Sequence, residues 1–174
     1  YAIALEAAPA NARLHNRYGL ALLQKGDSAG AIRHFDLAVR LEPQLARAHV
    51  NLARALAEGD APSRAVQHYR TALQLRPAWH AVRHELAWMH ATHPDATVRD
   101  AEAALEMAET LAAEGFGKTP EGLRLLAAAY AAADRFPEAV AITREGMQRA
   151  TEQNLRDLAE ELARHKALYR RSIP

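Results

Sequence analysis

The stretch that decides the fold is Ala12–Leu45, ARLHNRYGLALLQKGDSAGAIRHFDLAVRLEPQL, followed at once by Ala46–Trp79, ARAHVNLARALAEGDAPSRAVQHYRTALQLRPAW. The two align without a gap. A small residue falls at Gly19 and Ala53, alanine at Ala31 and Ala65 and again at Ala38 and Ala72, an aromatic at Phe35 and Tyr69, and proline at Pro43 and Pro77. Every pair is separated by 34 residues, and the same step runs back to Tyr1, Ala4, Leu5 and Pro9. A period of this length marks supersecondary units that bury their apolar faces by stacking on one another.

Each unit reads as two helices. In the first, Tyr18, Gly19 and Leu22 share one face of a helix expected over about 12–25. Gly26-Asp27 breaks it, glycine supplying the left-handed turn and Asp27 or Ser28 the next N-cap. Ala31, Phe35 and Ala38 then form one apolar stripe of a helix over about 28–41. Pro43 stops it, because proline lacks an amide donor and restricts the residue before it.

Composition agrees. The 174 residues include 41 alanines but only ten valines and isoleucines, and aromatics make up 6%. Alanine is the best helix former, and strands of β-branched residues are not available here. With no cysteine there is no disulfide, thiol nucleophile or cysteine-based zinc site, and either redox compartment suits the chain. A net charge of +1 is not the footprint of a nucleic-acid binder. No apolar run approaches the roughly 20 residues of a membrane span. The opening Tyr1-Ala2-Ile3, without methionine, reads as a fragment or a processed product.

The pattern resembles the tetratricopeptide repeat, W-x2-L-G-x2-Y…A-x3-F…P over 34 residues. Here it stands as His15-x2-Tyr18-Gly19-x2-Leu22…Ala31-x3-Phe35…Pro43, and next as His49-x2-Leu52-Ala53-x2-Leu56…Ala65-x3-Tyr69…Pro77. Histidine replaces the first aromatic in both. The resemblance implies an all-α protein, an α-solenoid of antiparallel helix pairs wound as a superhelix. Residues 1–11 are then the second-helix remnant of a preceding unit, so the array is expected to continue upstream. Units follow at 12–45 and 46–79. Residues 80–118 form an atypical unit with about five residues inserted near 92–98. A unit at 119–150 recovers the pattern with Leu123-x2-Leu126-Ala127-x2-Tyr130 and, later, Ala139, Thr143 and Gly146. Residues 151–174 form a C-terminal capping helix with Leu155, Leu158, Leu162 and Leu168 inward, because the last unit of a stack must meet water.

The residues offer little chemistry. Nine histidines are present. His15 and His49 share one repeat column and His34 and His68 another, which predicts packing or edge positions. His80 and His84 stand at a chelating i, i+4 spacing, with His90, His93 and Asp95 nearby, but no carboxylate accompanies both pairs and no HExxH occurs, so no metal site is expected. His93-Pro94-Asp95 is the tripeptide of the J-domain loop without that family's flanks, and its place between helices predicts a turn. Gly115-Phe116-Gly117-Lys118-Thr119 contains G-K-T without the upstream glycine or strand of a phosphate loop. It reads instead as a helix C-cap followed by an N-cap at Thr119. No nucleophile motif is present, and neither catalysis nor a cofactor is expected.

The first helices of tetratricopeptide units line a concave groove, and the resemblance assigns groove positions to Arg13, Asn16 and Arg17, to Arg47, Asn51 and Arg54, to His84, Glu85 and Trp88, and to Arg124. Arg13, Asn16, Arg47, Asn51, Arg54, His84, Trp88 and Arg124 are the candidate binding residues. Guanidiniums suit carboxylates, and tryptophan and arginine are the usual anchors of interfaces. The co-chaperone carboxylate clamp of the family is broken at Ala81 and Glu85. The asparagine ladder of O-GlcNAc transferase repeats is absent, its column holding Arg17, Asn51, Glu85 and Leu125. The expected function is a non-catalytic scaffold that binds a partner peptide or helix bearing acidic or C-terminal carboxylate groups. The alternative is an accessory repeat segment of a larger enzyme, such as a glycosyltransferase. Residues 1–90 carry 11 basic and 7 acidic side chains and residues 91–174 carry 11 and 14. With an apolar face open at Tyr1–Pro9, this polarity allows self-association through the N-terminal end.

Overall fold

The computed structural model describes residues 2–172, with side chains from residue 4 onward. Among them are helices α1 (Ala2–Ala7), α2 (Ala12–Gln24), α3 (Ser28–Leu41), α4 (Ala46–Glu58), α5 (Pro62–Leu75), α6 (His80–Thr92), α7 (Ala101–Ala113), α8 (Pro120–Ala132), α9 (Phe136–Glu152) and α10 (Arg156–Arg171), with a 3-10 turn at Phe116–Lys118. No strand occurs among the described residues. Tyr1, the first member of the aromatic column, lies outside them. The chain divides into two compact bodies, Tyr1–Val82 and Arg83–Pro174.

In the N-terminal body, α2 pairs with α3 and α4 with α5, and α3 also packs on α4. The repeat columns are the core: Ala31, Phe35, Ala38, Ala53, Ala65 and Ala72 are fully buried and Tyr69 nearly so. Gly19 is required at the α2–α3 crossing. A Cβ there would stand 2.5 Å from Phe35 Cε1 and 2.7 Å from Cδ1, so the Phe35 ring occupies the space that a side chain would fill. The α2–α3 turn closes as expected, with Gly26 at φ 81°, the Asp27 amide donating to the Leu22 carbonyl at 2.9 Å, and the Asp27 carboxylate accepting from the Gly30 amide at 2.7 Å. Asp27, rather than Ser28, is therefore the N-cap.

In the C-terminal body, α7 packs on α8, α8 on α9 and α9 on α10. Ala87, Ala104, Ala108, Leu111, Leu125 and Ala129 form its centre. The two later turns repeat the α2–α3 closure with non-glycine residues. Asp134 (φ 57°) and Asn154 (φ 58°) take the left-handed position, followed by Arg135 N–H to Tyr130 O at 2.9 Å and Leu155 N–H to Ala150 O at 2.8 Å. Asparagine and aspartate tolerate this conformation best among non-glycine residues. The loop after α6 is held by buried Val98, whose carbonyl accepts from His90 Nδ1 at 2.7 Å. His93-Pro94-Asp95 is a turn: the Asp95 carboxylate accepts from the Thr97 amide and hydroxyl, each at 2.8 Å.

The capping helix differs from its sequence reading. α9 runs on to Glu152 and α10 begins only at Arg156. Leu162 is fully buried, but Leu155 and Leu168 are 37% and 57% exposed. Leu155 precedes the first helical residue. Leu168 follows Leu162 by six residues, which at about 100° per residue places it roughly 120° away from the buried face.

Gly115-Phe116-Gly117-Lys118-Thr119 forms the cap-to-cap turn that the sequence predicts. Gly115 is left-handed at φ 100°, and Thr119 Oγ1 accepts from the Gly122 amide at 3.0 Å. A Cβ on Gly122 would collide with the Phe116 carbonyl oxygen and stand 2.7 Å from its carbon. Backbone cannot rotate aside as a side chain does. Gly122→Ala is therefore expected to destabilise the C-terminal body by about 1–3 kcal/mol, measured as a lowered thermal midpoint by circular dichroism. An unchanged midpoint would show that this turn yields freely.

Candidate functional site

In the N-terminal body, α2 and α4 lie side by side, and their exposed faces carry the candidate residues. Asn51 Nδ2 donates to Asn16 Oδ1 at 2.8 Å, joining the two helices through a buried Asn16 and a half-buried Asn51. Beside this bond lies an open cavity of about 420 Å3. Arg13, Asn16 and Arg17 line it from α2, Arg47 from α4, and Arg76 and Trp79 from the segment that precedes α6, with Leu45 and Ala46 as its apolar floor. The Arg76 guanidinium stands 4.8 Å from the Trp79 ring centre, within cation–π range. Arg13 also reaches Glu42 at 3.7 Å, but its side chain is 77% exposed, so the pair is solvated and weak. Arg54 lies on α4, exposed, and does not line the cavity.

The candidates of the C-terminal body sit in a different setting. The Arg124 guanidinium lies 4.4 Å over the Trp88 ring and donates to both Glu161 carboxylate oxygens at 3.0 and 3.2 Å. Trp88 is half-buried against the alanine-rich centre. His84 packs edge-on against Phe116, ring centres 5.4 Å apart. Burial, and next the Arg124 charge, hold His84 below its ordinary pKa, with Glu85 and Glu121 opposing. Its Nε2 is buried without an acceptor, which gives a second proton no support. These three residues come together as an internal stack in which Arg124 is already committed to Glu161 and Trp88.

The histidine columns have a structural use. His15 Nε2 bonds the Pro9 carbonyl at 2.9 Å while its Nδ1 meets His34 Nδ1, also at 2.9 Å. One repeat later, His49 Nε2 bonds the Pro43 carbonyl at 3.0 Å and its Nδ1 meets His68 Nδ1 at 3.1 Å. A carbonyl only accepts, so neutral His15 and His49 carry the proton on Nε2 and accept at Nδ1 from His34 and His68. Each clasp thus ties a first helix to its second helix and to the proline turn before it. A second proton on the pair would set two N–H donors against each other.

This arrangement makes stability pH-dependent. His34 and His68 are held below 6.5, first by burial, next by the facing histidine and then by Arg33 and Arg64, with Asp27 and Asp36 opposing. A histidine whose folded pKa is depressed takes up its proton more readily when unfolded. Its contribution is therefore complete above about pH 7.5 and is lost as pH falls through 6.5. The urea midpoint is expected to drop between pH 7.5 and 5.5, and less so in a His34→Gln/His68→Gln variant. Equal slopes in both proteins would remove the clasps as the cause.

Sequence reasoning on groove columns did not select Arg76 and Trp79, because they fall in the loop between units rather than on a first helix. The available signal was Arg76-Pro77-Ala78-Trp79, a tryptophan set two residues beyond a helix-stopping proline. Arg17 was legible as a groove position.

The tetratricopeptide repeat family matches residues 1–46, which hold the first complete helix pair and the proline turns on either side of it. The match covers one repeat unit and the helix before it, not the chain as a whole. Solved structures share the fold along most of the chain's length. A crystal structure of MamA superposes with a TM-score of 0.71 at 19% identity, covering 88% of this chain and 86% of that one. A MamA fragment from Desulfovibrio magneticus RS-1 gives 0.69 at 19% identity, with 92% and 94% covered. The anaphase-promoting-complex hetero-tetramer Cut9-Hcn1 gives 0.64 at 17% identity, covering 95% of this chain but 35% of the other. No curated protein matches by sequence. At such identities the likeness establishes the α-solenoid fold class alone, which agrees with the helix-only architecture. No helix among the described residues is long and apolar enough to cross a membrane.

Proposed function

We propose that this chain is a non-catalytic interaction scaffold that holds an extended segment of a partner protein on the α2–α4 face, with acidic or C-terminal carboxylate groups set among Arg13, Arg17, Arg47 and Arg76. The observation that carries the reading is one cavity lined by four guanidiniums and an indole, the residue types that dominate binding hot spots. The pre-formed helix pair contributes by lowering the ordering cost on the protein side.

The test is to select peptides against the protein by display and to measure their dissociation constants. Arg47→Ala, Arg76→Ala and Trp79→Ala are each expected to weaken binding about tenfold or more. Trp88→Ala is expected to act on stability rather than affinity. Unchanged affinity in all three cavity variants would sink the assignment.

A further inference from the structure

We propose that the arginine cavity of the N-terminal body is a receptor for a phosphomonoester carried on a side chain of the bound segment. This rests on the reading that the α2–α4 face holds a partner segment, and it goes further in naming the group recognised.

The polar side chains that line the cavity present donors. Guanidiniums donate only, and the indole of Trp79 donates only. Asn16 Oδ1 accepts from Asn51, and Asn16 keeps its Nδ2 as a donor. No carboxylate is among the lining residues, and the acid at the rim, Glu42, meets Arg13 at 3.7 Å. A site rich in donors and without a carboxylate is complementary to a ligand that mainly accepts.

Charge selects among such ligands. Arg47 and Arg76 alone place two permanent positive charges at the cavity, beside Arg17 and beside Arg13, which meets Glu42, and a single carboxylate leaves part of that charge uncompensated. A phosphomonoester carries about 1.5 to 2 negative charges near neutrality and three acceptor oxygens, enough to bridge several guanidiniums bidentately. Size points the same way. About 420 Å3 exceeds the need of an inorganic anion, and the indole of Trp79 with Leu45 and Ala46 forms an apolar wall for the body of the side chain that bears the phosphate.

A nucleic-acid backbone is disfavoured. It calls for a basic track, whereas the ten basic and six acidic side chains of residues 1–82 place four guanidiniums at one cavity and leave the whole chain at +1.

The experiment uses the full chain with Trp88→Phe, which leaves Trp79 as the one indole to report by fluorescence and by its N–H resonance. The probes are phenyl phosphate, phenylacetate and a six-residue oligothymidylate at low salt. Phenyl phosphate is expected to bind at least about tenfold more tightly than phenylacetate. Arg47→Ala and Arg76→Ala, both with unchanged circular dichroism, should reduce its affinity about tenfold, and Arg47→Lys should restore only part. Equal affinity for the two aromatic anions overturns the inference while leaving the carboxylate reading in place. No binding of either overturns it as well, and the display-selected peptides then decide whether the parent reading stands. Tighter binding of oligothymidylate per phosphate than of phenyl phosphate overturns it in favour of nucleic acid.

Discussion

Phe35→Ala is expected to lower the stability of the N-terminal body by about 3–5 kcal/mol. The ring is fully buried and fills the space beneath Gly19, where a Cβ would stand 2.5 Å from it. Removing it forfeits the transfer free energy of the ring and opens a cavity whose floor is a glycine, with no side chain to collapse into the gap. Repeat arrays unfold by nearest-neighbour coupling, so the loss should appear as an early transition of the first body ahead of the second. Urea unfolding followed by circular dichroism, with Trp79 fluorescence in the Trp88→Phe background, measures it. Tyr69→Phe, which keeps the ring, should cost less than about 1.5 kcal/mol. A Phe35→Ala loss below about 1 kcal/mol would show that the aromatic column does not hold the repeat together.

Leu162→Ala is expected to cost about 2–5 kcal/mol in the C-terminal body. Leu162 is the fully buried side chain of α10 and lies over Gly146, where a Cβ would stand 3.2 Å from Leu162 Cδ1 and 3.3 Å from Leu123 Cβ. It therefore plugs α10 into the α8–α9 pair. Leu168→Ala, at a side chain 57% exposed, should change stability by no more than about 0.5 kcal/mol. Comparable losses at both positions would mean that α10 is held by its length rather than by one plug.

The contrast between these two leucines shows where sequence reading stops. Both belong to an apolar series on a charged helix, and spacing alone put both inward. The register of α10 depends on where α9 ends, and that is set by Asn154 taking a left-handed conformation three residues after a predicted helix start. Nothing in the local pattern announces a turn there, since Asn154 lacks the glycine that marked Gly26. The histidine columns were legible as structural, but the Nδ1–Nδ1 clasp and its proline-carbonyl anchor were not. They join positions 19 and 6 residues apart, and that juxtaposition arises only after two helices pair.

The sequence by itself determined the helix-pair repeat, its 34-residue step, the small-residue crossings and most helix boundaries. These follow from local propensity, turn chemistry and periodicity, which the chain states residue by residue. Only the tertiary structure decided which arginines gather. Arg13 and Arg47 meet Arg76 and Trp79 at a cavity because α2, α4 and the proline turn after α5 converge in space. Arg124, assigned to the same groove by column, is instead spent on Glu161 and Trp88. Whether a guanidinium faces a ligand or a neighbouring carboxylate depends on the distance to residues dozens of positions away, and that distance is a property of packing.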